Sequence, residues 1–120
     1  MRIYVVERGD EAVRCDVHST NGTGEYVALH PLRHVALHSP TGFETGYAGS
    51  GPSDLALSIL TDFFAEEIRS AKQGFDSEAL RLHQDFKFKF IAPRQLEIGS
   101  QYSITEEEIS KWVAAQPERD

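Results

Sequence analysis

Gly46-Tyr47-Ala48-Gly49-Ser50-Gly51-Pro52-Ser53-Asp54-Leu55-Ala56-Leu57-Ser58-Ile59-Leu60 joins a glycine-rich loop to an apolar run with helical spacing, and this junction decides the fold. Ala56, Ile59 and Phe63 fall on one stripe and Leu57, Leu60, Phe64 and Ile68 on the next, with Asp62, Glu66, Arg69 and Lys72 opposite. The pattern predicts a central helix of about 20 residues, roughly 30 Å long. Pro52 suits its first position, Asp54 its third, Gly51 its cap, and Gly74 lies just past its end. Two apolar stripes place the helix beneath a sheet rather than on a rim.

That sheet is expected upstream. Ile3-Tyr4-Val5-Val6 and the alternating Val13-Arg14-Cys15-Asp16-Val17-His18 read as strands. Asn21-Gly22 tolerates positive φ at both turn positions and leads into a third strand, Tyr26-Val27-Ala28-Leu29. Leu32 to Leu37 suggests another short strand, Ser39-Pro40-Thr41-Gly42 a turn, and Phe43, Thr45 and Tyr47 alternate with smaller or charged neighbours.

Downstream, Asp76 to Gln84 fits strand and helix equally, because Leu80 and Leu82 suit one while the neighbouring Ala, Glu and Arg suit the other. Phe86, Phe88 and Phe90 alternating with Lys87 and Lys89 predict a strand with one aromatic and one basic face, ended by Pro93. Thr105 with Glu108, and Ile104 with Ile109, predict a capping box and a hydrophobic staple. A helix from about Glu106 to Ala115 follows, with Ile109, Trp112 and Val113 inward. The expected fold class is α+β: an antiparallel sheet packed on one long central helix, with a C-terminal helix, in a single domain over 1–120.

Composition narrows function by exclusion. The chain has 120 residues, and its 19 acidic against 12 basic side chains give a net charge of -7. That balance disfavours direct nucleic-acid binding, which depends on cationic neutralisation of phosphates, and leaves a small ligand or a basic protein surface as partner. Cys15 is the sole cysteine, so an intrachain disulfide is excluded. No apolar run approaches a membrane span, and Met1 to Glu7 lacks the apolar stretch of a signal peptide, so a cytoplasmic location is expected.

The candidate site is the loop itself: Tyr47, Gly49, Ser50, Gly51, Ser53 and Asp54. Glycines permit close backbone approach, the serines offer hydroxyls, and the amides of Ser53 and Asp54 at a helix start are expected to lack acceptors, so a phosphate or carboxylate fits there. The stretch has neither the Lys-Ser/Thr ending of a P-loop nor the dinucleotide glycine spacing, and Asp54 repels an anion unless it caps the helix or meets a sugar hydroxyl. The plain alternative is a tight turn whose glycines serve backbone geometry.

Other groups carry weaker signals. His30, His34 and His38 recur every four residues, but on a strand they lie ~13 Å apart, too far to share a metal, and no cofactor is expected. His83 near Asp85, with Ser50 as nucleophile, is the pattern a small hydrolase or transferase needs. Lys87 and Lys89 form a basic face able to meet phosphate, or simply a solvated strand face. Glu66, Glu67 and the run Glu106, Glu107, Glu108 are acidic candidates for a basic partner, although the run also suits the dipole of the last helix.

His38-Ser39-Pro40-Thr41-Gly42-Phe43-Glu44, Gly46-Tyr47-Ala48-Gly49-Ser50-Gly51-Pro52 and Asp54-Leu55-Ala56-Leu57 resemble a family of small uncharacterised bacterial and phage proteins. Gln84-Asp85-Phe86-Lys87 with Phe90-Ile91-Ala92-Pro93 looks like that family's second signature. Thr45 and Ala48 depart from the tryptophan and glycine expected there. The resemblance implies a shared fold and a role for Gly46 to Asp54. It also hints at accessory or anti-defence work. The expected function is a non-enzymatic binding protein for an anionic small molecule of phosphate or nucleotide type. The alternative is an acidic inhibitor that occupies a basic host protein or nucleoprotein.

Overall fold

The computed structural model describes residues 1–66 and 77–117. Strands β1 (Arg2–Arg8), β2 (Val13–Thr20), β3 (Tyr26–Pro31) and β4 (Gln101–Thr105) form an antiparallel sheet in the order β3-β2-β1-β4. Period-two alternation gives β1 and β2 one apolar face: Tyr4, Val6, Val13, Cys15 and Val17 are buried, and Ile104 of β4 sits opposite Tyr4. Burial pushes the Cys15 thiol well above its ordinary pKa, as suits a packed, unreactive side chain. The fold is α+β, with helices α1 (Ser50–Phe63), α2 (Glu78–Phe86) and α3 (Glu106–Ala114).

Helix α1 supplies the centre of the core through Leu55, Ala56, Leu57, Ile59 and Leu60, all fully buried. It is not the single long helix expected: it spans 14 residues. Phe64 caps it, and Ala65 turns the chain at φ 54°, a left-handed conformation that stops helical hydrogen bonding. Its start lies earlier than expected, with extended Gly49 as cap and Pro52 third in the helix. Ile68, Arg69, Lys72 and Gly74, which the periodicity drew into this helix, lie outside the described residues, as does Asp76.

Two expected strands are absent from the sheet. Leu32 to Leu37 wraps α1 without strand pairing, and of Phe43, Thr45 and Tyr47 only Phe43 makes a bridge, to Val13. The Phe86 to Phe90 segment is helical. Helix α2 begins at the Ser77 cap, whose hydroxyl accepts from the Leu80 amide at 3.0 Å, so the described part of the ambiguous stretch, up to Gln84, is helical. It runs directly into a π-helical turn, Lys87–Ile91, where the Ala92 amide donates to the Lys87 carbonyl. Phe86 and Phe90 therefore share a stripe and stack at 4.6 Å beneath Trp112 of α3, Phe88 faces solvent, and Lys87 turns inward. The sheet position beside β1 belongs to β4, which the sequence reading missed. Helix α3 carries the expected capping box between Thr105 and Glu108. Among the described residues, no helix is long and apolar enough to cross a membrane.

Sheet and helix are tied through one carboxylate. Asp62 Oδ2 accepts from the Tyr4 hydroxyl at 2.6 Å and from Arg2 Nη1 at 2.7 Å, and burial together with this carboxylate keeps the Tyr4 phenol protonated well above its usual range. Asp62→Ala strands that buried hydroxyl and is expected to cost about 2 kcal/mol, measured by urea unfolding. An unchanged midpoint contradicts the role given to this bond.

Candidate functional site

The first two turns of α1 carry the buried polar residues Ser53 and Asp54, to which the buried Lys87 and Ser39 are bonded. The loop reaches them from the end of the π-helical turn. Thr45 places its hydroxyl 3.0 Å and 2.8 Å from the Ile91 and Arg94 carbonyls and 2.7 Å from the Tyr102 hydroxyl, while the Gly46 amide donates to Ile91. These bonds satisfy carbonyls that a helix end leaves open. Gly46 adopts φ +90°, and a β-carbon there would lie 2.9 Å from the Gln95 backbone, so only glycine fits.

Beyond Gly46 the candidate residues separate. Tyr47, Ser50 and Gly51, with Ser39 and Thr41, line a hollow of about 290 Å³ at the mouth of α1. Glu11 and Glu44 also border it, Glu44 being paired with Arg8 at 2.7 Å. Gly49 packs against the Tyr47 ring. The Ser53 amide is not open as expected: because the helix begins at Ser50, it already donates to the Gly49 carbonyl at 3.0 Å.

Asp54 is fully buried, and both of its carboxylate oxygens accept from donors of the chain. Oδ1 accepts from the amides of Leu37 and His38 at 3.2 and 2.8 Å, and Oδ2 accepts from the Ser39 amide at 2.9 Å and from His34 Nε2 at 2.8 Å. One turn on, the Ser58 hydroxyl accepts from the Val35 amide at 2.8 Å. These two side chains take the place of a neighbouring strand for residues 35–39, which is why that stretch, apolar enough to read as β, does not join the sheet.

The same wrap carries His38 to His83. Their Nε2 atoms are 3.0 Å apart, and His83 Nδ1 lies 2.6 Å from the Leu80 carbonyl, which can only accept. The His83 proton therefore sits on Nδ1, its Nε2 is the acceptor, and His38 donates from Nε2. Gln84 Nε2 is 3.3 Å from the same acceptor. Burial lowers the His83 pKa, the Lys87 charge and His38 lower it further, and the Leu80 bond and Asp54 oppose them. Asp85 is exposed on the other side of α2, so the His83–Asp85 pair suggested by the sequence does not form. His30 bonds to the Pro31 carbonyl, so the three evenly spaced histidines go to three different partners.

Lys87 is the residue whose placement the sequence reading missed. Read as the solvated side of a strand, it is 6% exposed, with Nζ 3.2 Å from the Ser53 hydroxyl and 4.5 Å from the centroid of the exposed Phe88 ring. Ser53 in turn donates to the Gly49 carbonyl at 2.9 Å and lies 3.5 Å from Gln84 Oε1. No carboxylate among the described residues pairs with this ammonium. The two stretches singled out in the sequence, Gly46 to Asp54 and Gln84 to Lys87, thus meet at Ser53.

The remaining charged candidates are dispersed. Lys89 and Glu107 are exposed, Glu66 accepts from the Ala79 amide, Glu106 from the Arg2 amide, and Glu108 completes the capping box. Glu67 lies outside the described residues.

Two outcomes are expected. Asp54→Ala leaves three amides and His34 without their acceptor and lowers stability by about 3 kcal/mol or more in chemical denaturation; a loss below about 1 kcal/mol would mean the wrap holds without it. The lowered His83 pKa makes folding pH-dependent. The unfolded chain takes up a proton near its ordinary value of about 6.5 while the folded state resists it, so this stabilisation is present above that pH and lost as pH falls through the folded value. Melting temperature should fall as pH drops below about 6.5, and His83→Gln should flatten the slope; parallel curves contradict the assignment.

No curated protein and no solved structure matches the chain. The model of a family of unknown function, DUF6166, matches residues 7–115, from the end of β1 through α3. The chain belongs to that family.

Proposed function

We propose that the protein is a non-enzymatic binding protein for an anionic small molecule with a phosphate-like group, held where the loop from Tyr47 to Gly51 meets Ser53 and Lys87. The observation that carries this reading is the Lys87 ammonium, buried with a hydroxyl and an aromatic ring for company and, among the described residues, no paired carboxylate. A buried charge without a counter-ion destabilises a fold, and methionine or leucine packs the same space without that cost. Such a charge makes sense where an anion completes it. The Ser50 hydroxyl and the N-terminal turn of α1 add a donor and a favourable dipole beside Ser53, whose own hydroxyl proton is already given to Gly49. Among the described residues His83 bonds to His38, Leu80 and Gln84 and to no nucleophile, which speaks for binding rather than turnover.

Lys87→Met separates a ligand site from a structural lysine. It is expected to raise stability by about 1 kcal/mol, since the uncompensated charge is gone. It is also expected to abolish the rise in melting temperature that inorganic phosphate gives the wild-type protein. A destabilised variant that still responds to phosphate overturns the reading, and so does a wild-type protein indifferent to phosphate.

A further inference from the structure

We infer, resting on the anion reading above, that the bound molecule is a phosphate ester carrying a flat aromatic base, of nucleoside monophosphate type, whose base stacks on Phe88 while its phosphate meets Lys87. Three observations converge on this. Phe88 is 57% exposed although its neighbours Phe86 and Phe90 are buried, and its ring lies against the ammonium with the centroid 4.5 Å from Nζ. A base stacked on the outer face of that ring would lie within reach of the same cation.

The π-helical turn is what creates the arrangement. Bonding from the Ala92 amide to the Lys87 carbonyl, five residues back, widens the helix and presents Lys87 inward and Phe88 outward at consecutive positions. Turns of this kind are unfavourable in themselves and concentrate at functional sites. On the opposite side of Ser53, Tyr47 is 52% exposed with its ring against Gly49. Two wet aromatic rings thus flank the Gly49–Ser53–Lys87 relay. Aromatic rings left in water next to a cation provide a stacking platform tolerant of any base, because every base presents a π-face. The net charge of -7 disfavours a polymer with many phosphates and selects a single nucleotide.

Calorimetric titration of the full chain with four probes tests this: inorganic phosphate, ribose 5-phosphate, adenosine monophosphate, and a short single-stranded oligonucleotide. Adenosine monophosphate is expected to bind about tenfold or more tighter than ribose 5-phosphate, the scale of one stacked base. Phe88→Ala should bring adenosine monophosphate and ribose 5-phosphate to equal affinity, with phosphate binding retained, and Phe88→Tyr should restore the difference. The oligonucleotide should bind no tighter than the mononucleotide. Equal affinity for ribose 5-phosphate and adenosine monophosphate overturns the base-stacking inference while leaving the anion reading standing. Loss of phosphate affinity in Phe88→Ala overturns it too, since the ring then acts only by holding Lys87. Tighter oligonucleotide binding points to a nucleic-acid end as the ligand and overturns the mononucleotide. Failure of every probe, phosphate included, removes both readings.

Discussion

The Asp54 carboxylate is the interaction on which the arrangement of the site depends. Fully buried in the second turn of α1, it gathers three consecutive amides and one imidazole from residues 34–39. A carboxylate in that environment is tolerable only because all its partners are donors held by the fold. Its consequence is positional. The wrap it anchors delivers His38 to His83, which fixes the face of α2 that meets α1, and thereby sets where Ser53, Gln84 and Lys87 come together.

Two buried charged side chains in this region are treated differently. Asp54 accepts from four donors of the wrap, whereas Lys87 donates to the neutral Ser53 hydroxyl and pairs with no carboxylate among the described residues. A design governed by stability alone would resolve the second as it resolved the first, because one ionised group without a counter-ion costs more than a well-packed apolar side chain. Natural chains that keep such a residue commonly do so where activity requires it. The loop in front of α1 fits the same logic, with Gly46 held in a conformation that only glycine tolerates and Tyr47 left exposed beside the hollow.

Two segments that read as strands were misread through one mechanism. Phe86-Lys87-Phe88-Lys89-Phe90 alternates perfectly, yet the segment follows a helix already under way from the Ser77 cap, and Phe86 and Phe90 find Trp112 across a gap in sequence that no local window spans. Leu32 to Leu37 looks like a strand but obtains its hydrogen bonds from side chains of α1. In both cases a tertiary partner overrode local pattern, as short apolar runs permit. The length of α1 was misjudged because periodicity continued beyond Phe63 although the backbone turned at Ala65.

The amino-acid sequence by itself determined β1, β2 and β3, the passage from the glycine-rich loop into a helix through Leu55 to Leu60, and the Thr105–Glu108 capping box. Each of these is written in spacing, turn residues or caps within a few positions of one another, where local sterics and hydrogen bonding decide. Only the tertiary structure decided the helical state of the Phe86 segment, the place of β4 beside β1, and the burial of Asp54 and Lys87. Whether a charged side chain is solvated or enclosed depends on groups brought from 15 to 34 residues away, as Ser39 is to Asp54 and Ser53 to Lys87. That proximity is a property of the packed chain and not of any segment of it.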